Sequence, residues 1–482
     1  MKKTVTNPYL PSWEYVPDGE PHVFGERLYI FGSHDRFGGK AYCENDYVLW
    51  SAPTYDLSDW YCHGIIYRRN QDPHCRGKKS HMWAPDVAKG ADGRFYLYYG
   101  TDFDNRVAVA VSKTPEGPYE YYGEVRYSDG TRYGGKPGEL MRFDAGVLAD
   151  DDGKIWLYTG FCPTDPWFQT VAKKKNATIS ASGSQVAELD KDMLTIKTEP
   201  IFLLPGKDNS AGSGFEGHEF YEASSMRKFD GKYYAVYSSF LSHELAWAVS
   251  DFPNRGFRYG GTLHSNGNIL SEGQQVTYFW GNNHGSIERI NGRFYVFGHR
   301  QTNCNECSRQ GVAEQLRFEN GRFFPAEMTS QGLYGKPLPP DVTYEAGIAC
   351  VLYGKQGACK TTKTNKRSYP YITQKGKDRE CDPCQYIANI RDKTVIGYKY
   401  FDLSDAAGII VSLSGRARGK LRLFTQIDGD CIGEIDIRPN TRRAKTIIRS
   451  SLAESALYFR FEGSGKLNLL NFTVTTNKED IS

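Results

Sequence analysis

A chain of 482 residues with nearly equal numbers of basic and acidic side chains, 60 against 57, carries a formal net charge of only +3. The length favours at least two domains. The balanced charge, without a basic tail or stripe, argues against a protein that binds nucleic acid or a membrane surface. No apolar run approaches the ~18–20 residues needed to span a bilayer.

Two features of the composition bear on the cellular compartment. Lys2 and Lys3 are followed by TVTNPYLPSWEY, which lacks the apolar core of a signal peptide. The 11 cysteines are odd in number and scattered along the chain. We therefore expect a cytoplasmic enzyme with reduced thiols.

One short pattern recurs along the first 340 residues: a polar-glycine turn, then an aromatic-rich strand. It reads FGERLYIFGS from Phe24, DGRFYLYYGT from Asp92, DGKIWLYTG from Asp152, DGKYYAVYSS from Asp230 and NGRFYVFGHR from Asn291. An Asp-Gly or Asn-Gly pair between two apolar runs is the strongest short-range hairpin signal. Five such units of several antiparallel strands each predict an all-β chain that starts with a five-bladed β-propeller over residues 1–340. An array of β-sandwiches is the alternative, but it would not repeat one fixed phrase.

A polar side chain precedes each turn glycine by seven to nine residues; the five are Asp18, Asp86, Asp144, Glu222 and His284. The first strand of each propeller blade lines the central channel, so these positions are predicted to meet at one mouth of it. Beyond about residue 340 the pattern stops and short alternating strands follow at even spacing. They predict a β-sandwich domain over residues 341–482.

Two opposed carboxylates with a third nearby are what glycoside cleavage requires. One must be ionised, to take a proton from water or to attack the anomeric carbon, and another must be protonated, to donate to the leaving oxygen. A third acid raises the pKa of the donor through like-charge repulsion. The five positions could supply this set.

Several segments resemble the motifs of glycoside hydrolase family 43, over about residues 5–335. They read VPDGEPHVF, MWAPDV, FDAGVLADDDGKIWLYTG, FEGHEFYEASSMRKFDGKYYAVYSS and NNHGSIERINGRFYVFGHRQ. Members of that family are five-bladed propellers that invert the anomeric configuration. The C-terminal part resembles β-sandwich modules related to carbohydrate-binding module family 6. It shows no clear set of exposed binding aromatics, so a structural role is at least as well supported.

The resemblance assigns the three acids. It implies that Asp18 is the general base, that Asp144 tunes and orients the proton donor, and that Glu222 is the general acid. Glu219 is the alternative to Glu222, although strand alternation puts it on the opposite face. Asp86 is expected to be a turn or hydrogen-bonding residue instead.

The resemblance also suggests binding residues. His284 matches a histidine that helps to hold a metal, often calcium, or a water at the propeller centre. Trp83 matches a sugar-facing aromatic, with core packing as an even alternative. Arg300 matches an arginine that pairs with the site's carboxylates or with sugar hydroxyls.

Two C-x-x-C pairs, Cys304–Cys307 and Cys381–Cys384, have the spacing of half zinc sites. Their separation is far longer than the ~15–20 residues of a compact zinc ribbon, and they fall in different predicted domains. A zinc site at the domain interface is therefore a minor hypothesis.

These observations predict an inverting exo-glycosidase that removes terminal α-L-arabinofuranosyl units from arabinoxylan-type oligosaccharides of plant cell walls. β-Xylosidase activity is the first alternative, followed by β-D-galactofuranosidase and endo-arabinanase. A non-catalytic sugar-binding propeller is the alternative from another class, and the presence of all three acids argues against it. The segments 36–45 and 163–182 are expected to form the pocket rim and to decide the sugar.

Overall fold

The computed structural model describes residues 6–76, 79–102, 104–174, 177–271, 273–360, 368–380 and 384–481. These residues are almost entirely β-structure. Their one α-helix, α1 (Pro166–Lys173), has eight residues. No described helix has the length and apolar character to cross a membrane.

Five antiparallel sheets follow one another along the chain and confirm the predicted five-bladed propeller. The first two blades consist of β1 (Glu20–Phe24), β2 (Arg27–Phe31), β3 (Tyr47–Pro53), β4 (Tyr61–Tyr67), β5 (Asp86–Lys89), β6 (Phe95–Tyr99), β7 (Ala108–Ser112) and β8 (Glu120–Glu124). The third and fourth consist of β9 (Gly146–Ala149), β10 (Ile155–Thr159), β11 (Gly183–Leu189), β12 (Ile201–Pro205), β13 (Phe220–Phe229), β14 (Lys232–Ser239), β15 (Glu244–Ser250) and β16 (Arg258–Ser265). The fifth consists of β17 (Ile287–Ile290), β18 (Arg293–Thr302) and β19 (Asn305–Leu316). A two-stranded hairpin, β20 (Phe318–Glu319) and β21 (Arg322–Phe323), follows.

The recurring glycines lie where the sequence pattern places them, in the turn between the first and second strand of each blade. Gly25, Gly93, Gly153, Gly231 and Gly292 all have a left-handed backbone, with φ between 63° and 83°. Glycine adopts this conformation without steric cost. Each first strand therefore begins at one mouth of the channel and ends at its glycine turn near the other.

The N-terminal segment joins the first blade to the last. Asn7 pairs with Ala313 of β19 in both directions, with N–O distances of 3.0 and 3.2 Å, and it donates to Glu314 Oε1 at 2.8 Å. Gly19 forms a parallel bridge with Gly285, just before β17. The ring is thus closed by contacts between residues that are 266 (285 − 19) to 307 positions apart.

The remaining strands form a single sheet with a sandwich-like shape. They are β22 (Thr343–Glu345), β23 (Val351–Tyr353), β24 (Tyr371–Gln374), β25 (Gln385–Ile390), β26 (Thr394–Phe401), β27 (Gly408–Phe424), β28 (Cys431–Ile437), β29 (Arg443–Ile447) and β30 (Ser455–Thr475). The long strands β27 and β30 pair along their length, and Gly419 faces Gly463 near the middle. A Cβ on either glycine would lie within 2.3 Å of the partner strand's carbonyl oxygens. A side chain larger than glycine would not fit at either position without a shift of the backbone.

The propeller and the C-terminal domain share one apolar core. Tyr278, Val312 and Met328 of the propeller part belong to the same buried cluster as Ile387 and Phe472 of the C-terminal sheet. The buried apolar side chains of the two domains thus form one continuous packed interior.

Part of the zinc hypothesis falls outside the described residues. Cys304, in the turn from β18 to β19, and Cys307, near the start of β19, are both buried. Cys381, which the hypothesis requires as their partner, is not among the described residues.

Candidate active site

The backbone around the three predicted catalytic acids has an unusual conformation. Asp18 and Asp144, each two residues before an inner strand, have φ values of 55° and 45°, and Ala223, next to Glu222, has a φ of 66°. The pairing of β13 with β14 shifts register on both sides of Glu222. Such a bulge re-aims a side chain, and left-handed non-glycine residues cost roughly 1–3 kcal/mol each. The fold thus holds all three acids in locally strained segments.

The Asp18 carboxylate is buried against a guanidinium. Arg309 Nη1 donates to Asp18 Oδ1 at 2.8 Å, and His299 Nδ1 lies 3.3 Å from the same oxygen. Burial alone would raise the pKa of Asp18, but the charge of Arg309 together with His299 and His284 outweighs it and holds that pKa well below its usual range. Asp18 is therefore ionised at any pH at which the protein would function.

Arg309 is itself fixed by a second carboxylate. Its Nε and Nη2 donate to the two oxygens of Asp35 at 2.9 and 3.0 Å, and its backbone N–H donates to Oδ2 at 3.0 Å. The guanidinium carbon lies 4.8 Å from the ring centroid of Tyr42. Bidentate geometry of this kind orients an arginine rigidly. Asp35 and Arg309 were not predicted from the sequence as site residues.

The other two acids have the opposite electrostatic environment. Burial, together with the charge of Asp144, raises the pKa of Glu222 to about 8. Burial also raises the pKa of Asp144 to about 6, although the charge of His284 opposes the rise. Asp144 Oδ2 accepts the backbone N–H of Ala223 at 3.2 Å, which ties it to the Glu222 bulge. Near neutral pH the site therefore combines an ionised Asp18 with a protonated Glu222.

His284 lies among these carboxylates, as the sequence pattern predicts. Its Nδ1 is 3.6 Å from Asp144 Oδ2, and its Nε2 is 3.8 Å from Glu20 Oε1. Burial disfavours the imidazolium, but the charges of Asp144, Asp18 and Glu20 raise the pKa of His284 to about 9. His284 thus carries a positive charge that offsets part of the buried negative charge.

The structure separates Glu219 from this cluster. Glu219 Oε1 lies 3.3 Å from the hydroxyl of Ser210, and the Glu219 carbonyl accepts the N–H of Phe240. Glu222, by contrast, is close enough to Asp144 and Asp18 for both charges to raise its pKa. Of the two glutamates, only Glu222 lies with the other acids.

Arg300 does not make the carboxylate contacts predicted for it. It is buried, and its Nη atoms donate to the carbonyl of Ala349 at 3.2 Å and to the side-chain oxygens of Gln310 and Gln385 at 3.0 and 3.4 Å. The reason is strand alternation, since His299 faces the site and the next residue points to the opposite face. Arg309, across from Gln301 in the register of β18 and β19, makes the predicted contact instead.

Trp83 forms part of an aromatic wall beside the acids. Its ring packs at 5.3 Å from that of Phe143, which directly precedes Asp144, and at 6.3 Å from that of Tyr42. It is half-buried. Its position therefore fits both of the roles weighed from the sequence.

A second layer of charges fills the channel beneath the acids. Asp86 accepts from His22 Nε2 and from the Val147 N–H, as expected of a hydrogen-bonding residue. Glu20, His22 and Asp86 place potential metal-ligand atoms within 4.8 Å of one another. Arg227 already donates to Glu20 Oε2 at 2.7 Å and supplies positive charge to this layer.

The C-terminal domain fixes one rim segment of the site. Asp378, between β24 and β25, accepts the Phe37 N–H at 2.8 Å and the Asn45 side-chain amide at 3.1 Å. These two residues bracket Tyr42, the ring that covers Arg309. A residue more than 300 positions away in sequence thus holds a wall of the pocket, and no local sequence signal points to it.

The family model for glycosyl hydrolases family 43 matches residues 7–323, which include every residue of the acid cluster. The chain belongs to glycosyl hydrolase family 43. This membership confirms the predicted class of enzyme, a glycoside hydrolase with a propeller fold.

Known family 43 proteins resemble the chain in sequence or in fold. A xylosidase/arabinosidase from Thermoclostridium stercorarium is 43% identical over 99% of this chain and 100% of its own length. A Bacillus subtilis arabinoxylan arabinofuranohydrolase, solved with cellotetraose, has a TM-score of 0.51 at 19% identity, over 98% of this chain and 99% of that one. A β-xylosidase/α-arabinofuranosidase from a compost metagenome, solved with xylotriose in a calcium-free form, has a TM-score of 0.50 at 24% identity, over 65% of this chain and 94% of that one. The Bacillus subtilis match spans both domains of this family 43 chain.

Asp378→Ala is expected to weaken substrate binding more than the chemical step, because it frees the segment that carries Tyr42. We expect KM for an aryl glycoside substrate to rise about three- to tenfold, with kcat within about twofold of wild type. Steady-state kinetics measure both. Asp430→Ala, at an exposed position of the same domain, serves as the control. An unchanged KM for Asp378→Ala would contradict the expectation.

Glu222→Gln is expected to raise thermal stability at alkaline pH. The folded chain raises the pKa of Glu222 to about 8, whereas the unfolded chain releases that proton near pH 4.3. The native state therefore binds the extra proton, and wild-type stability falls as pH rises between about 4.3 and about 8. The Tm of the variant should exceed that of wild type at about pH 8.5, and the gap should narrow towards about pH 5. A gap of the same size at every pH, or one shared by the exposed control Glu454→Gln, would contradict this.

Proposed function

We propose that this family 43 enzyme is an inverting exo-glycosidase that releases terminal α-L-arabinofuranosyl or β-D-xylosyl units from arabinoxylan-type oligosaccharides. The observation that carries the proposal is the division of the acids into two environments. Asp18 is held ionised by Arg309, and Glu222 is held protonated by burial and by Asp144. An acid and a base facing one pocket are what an inverting hydrolysis requires.

The proposed mechanism uses these two groups in a single displacement. A water hydrogen-bonded to Asp18 attacks the anomeric carbon and transfers a proton to the Asp18 carboxylate. Glu222 gives its proton to the glycosidic oxygen as the bond from that oxygen to the anomeric carbon breaks. The products are a sugar of inverted anomeric configuration and an oligosaccharide with a free hydroxyl.

Asp144 acts on the proton donor and not on the substrate. Its charge contributes to the raised pKa of Glu222, and its bond to the Ala223 N–H holds the adjacent bulge. Glu222 is consequently both protonated and held in one orientation. This matches the role that the family resemblance gives to Asp144.

The preference for arabinofuranosyl and xylosyl units is supported by the relatives. The Thermoclostridium stercorarium protein, 43% identical over nearly the whole chain, carries both activities in its name. One arrangement of base and acid can serve both sugars, because both are pentoses and neither carries a C6 group. We place arabinofuranosyl release first.

A structural calcium at the propeller centre is part of the proposal. His284 Nε2 and Glu20 Oε1 are 3.8 Å apart, a spacing that suits two neighbouring ligands, and this oxygen of Glu20 accepts no hydrogen bond from the described residues. Carboxylate oxygens are the ligands that calcium prefers. An ion held there would need the neutral form of His284 and would take the place of the imidazolium in offsetting the charge of the buried acids.

The C-terminal domain and the compartment complete the proposal. We assign the domain, which resembles carbohydrate-binding module family 6, a structural role as a wall of the pocket, on the strength of the Asp378 contacts. The odd number of cysteines and their scatter along the chain suit a reducing cytoplasm. Imported plant cell-wall oligosaccharides would then be the substrates.

The decisive experiment is turnover of nitrophenyl α-L-arabinofuranoside, β-D-xyloside and β-D-galactofuranoside, with proton NMR of the first-formed sugar. We expect the arabinofuranoside to give the highest kcat/KM and an inverted anomer. Binding of arabinoxylo-oligosaccharides without turnover of any of the three glycosides would favour a sugar-binding propeller. Retention of configuration would overturn the assignment of Asp18 as base.

Asp18→Asn and Glu222→Gln should each lower kcat by about 10²–10⁴-fold, because each removes one proton transfer. The matched control is Glu219→Gln, which should stay within a few-fold of wild type. In the wild type, kcat/KM should fall above about pH 8 as Glu222 loses its proton. An active Glu222→Gln variant together with an inactive Glu219→Gln variant would transfer the role of general acid to Glu219.

A further inference from the structure

The helix α1 lies on the same face of the propeller as the acids. The inner strand β9 starts beside Asp144 and runs away from the site, and β10 pairs antiparallel to it and returns. The connection from β10 to β11, which contains α1, is therefore on the site's face. This connection includes the rim segment 163–182 named from the sequence.

A continuous aromatic cluster links α1 to the acids. Phe161 stacks on Phe143, the neighbour of Asp144, at 4.6 Å, and meets the edge of Tyr221, the neighbour of Glu222, at 5.9 Å. Phe168 of α1 packs on Phe161 at 5.2 Å. The helix is thus seated on the residues that flank Asp144 and Glu222.

Trp167 is the outermost ring of this cluster. It packs against Phe168 at 4.9 Å, yet 59% of it is exposed, more than any other tryptophan of the chain. Its backbone is fixed, because Asp165 caps the helix by accepting the Trp167 N–H at 2.8 Å. Tryptophan is enriched at binding surfaces, because its ring is apolar while its N–H can stay in water.

The side of the pocket on which α1 lies decides which part of a substrate could reach it. Glu222 is the proton donor to the leaving oxygen, so the leaving group must lie on the Glu222 side. Tyr221 and Phe161 connect that side to α1. The leaving group of the proposed reaction is a chain of xylose units, and a pyranose ring offers an apolar face to a flat aromatic ring.

We propose that Trp167 is a sugar-stacking platform that binds a xylosyl ring of the leaving oligosaccharide. This inference rests on the proposed function. It adds a binding subsite on the leaving-group side, carried by α1, to the pocket that holds the terminal sugar. Trp167 contributes to oligosaccharide recognition and not to bond cleavage.

The first test compares two substrates that share the terminal sugar. With methyl α-L-arabinofuranoside, which has no ring on the leaving side, Trp167→Ala should keep kcat/KM within about twofold of wild type. With arabinofuranosyl-xylotriose its kcat/KM should fall about tenfold, and Trp167→Phe should restore most of the loss. The control is Tyr55→Ala, because Tyr55 is 78% exposed and follows β3 on the opposite face of the propeller. It should change neither value.

Equal losses on both substrates would show a role in holding the site together, and no loss on either would show that Trp167 does not meet the sugar chain. Each result overturns the inference.

A second test does not depend on turnover. Calorimetry measures xylotriose binding to Asp18→Asn and to the double variant Asp18→Asn/Trp167→Ala. A Kd about tenfold weaker in the double variant supports the platform even if the methyl glycoside and the nitrophenyl glycosides are not cleaved, an outcome that would refute only the proposed function. Equal Kd values overturn the platform.

Discussion

Arg309 bridges two buried aspartates across the junction of the first and last blades. Asp18 and Asp35 come from the beginning of the chain, and Arg309 comes from the last strand of the ring. Removing one partner of such a buried pair leaves an uncompensated charge, which typically costs about 3–5 kcal/mol. The same contact keeps Asp18 ionised. One interaction therefore both adds to the closure of the ring and keeps the proposed base ionised.

The two sides of the pocket differ in chemical character, and this difference separates the pKa values of the acids. Asp18 faces a guanidinium, whereas the neighbours of Asp144 and Glu222 belong to an aromatic cluster. An ionised carboxylate beside a cation is stabilised, so its pKa falls. An ionised carboxylate beside apolar rings and another acid is destabilised, so its pKa rises. One mouth of one channel thus provides both a base and an acid. Neither acid requires a special residue type, only a different set of neighbours.

Much of this could be predicted from the sequence because the propeller repeats one phrase. The turn glycines set the blade count, and the residues before them led to Asp18, Asp144, Glu222 and His284, which the structure brings together. Arg309 could not be located in the same way. The register between β18 and β19 places it beside the site, and the sequence does not give that register. Arg300 lies next to His299 but on the opposite face of β18, so it does not make the carboxylate contact predicted for it.

Contacts between distant parts of the chain were also beyond sequence reasoning. Asp378 reaches the site from another domain, and its position depends on how that domain docks. Nothing in its neighbouring residues encodes this. The strain at Ala223 is similarly invisible in sequence, since alanine rarely adopts a left-handed backbone.

The shared apolar core limits what dissection of the protein can reveal. Tyr278, Val312 and Met328 are covered by the C-terminal sheet, and Arg300 finds its hydrogen-bond acceptors partly in Ala349 and Gln385. A chain cut near residue 340 would expose this apolar surface and leave a guanidinium short of partners. Loss of activity in such a fragment would then report unfolding or aggregation and would say nothing about sugar binding by the missing part. For this molecule, point substitutions at the boundary are more informative than shortened chains.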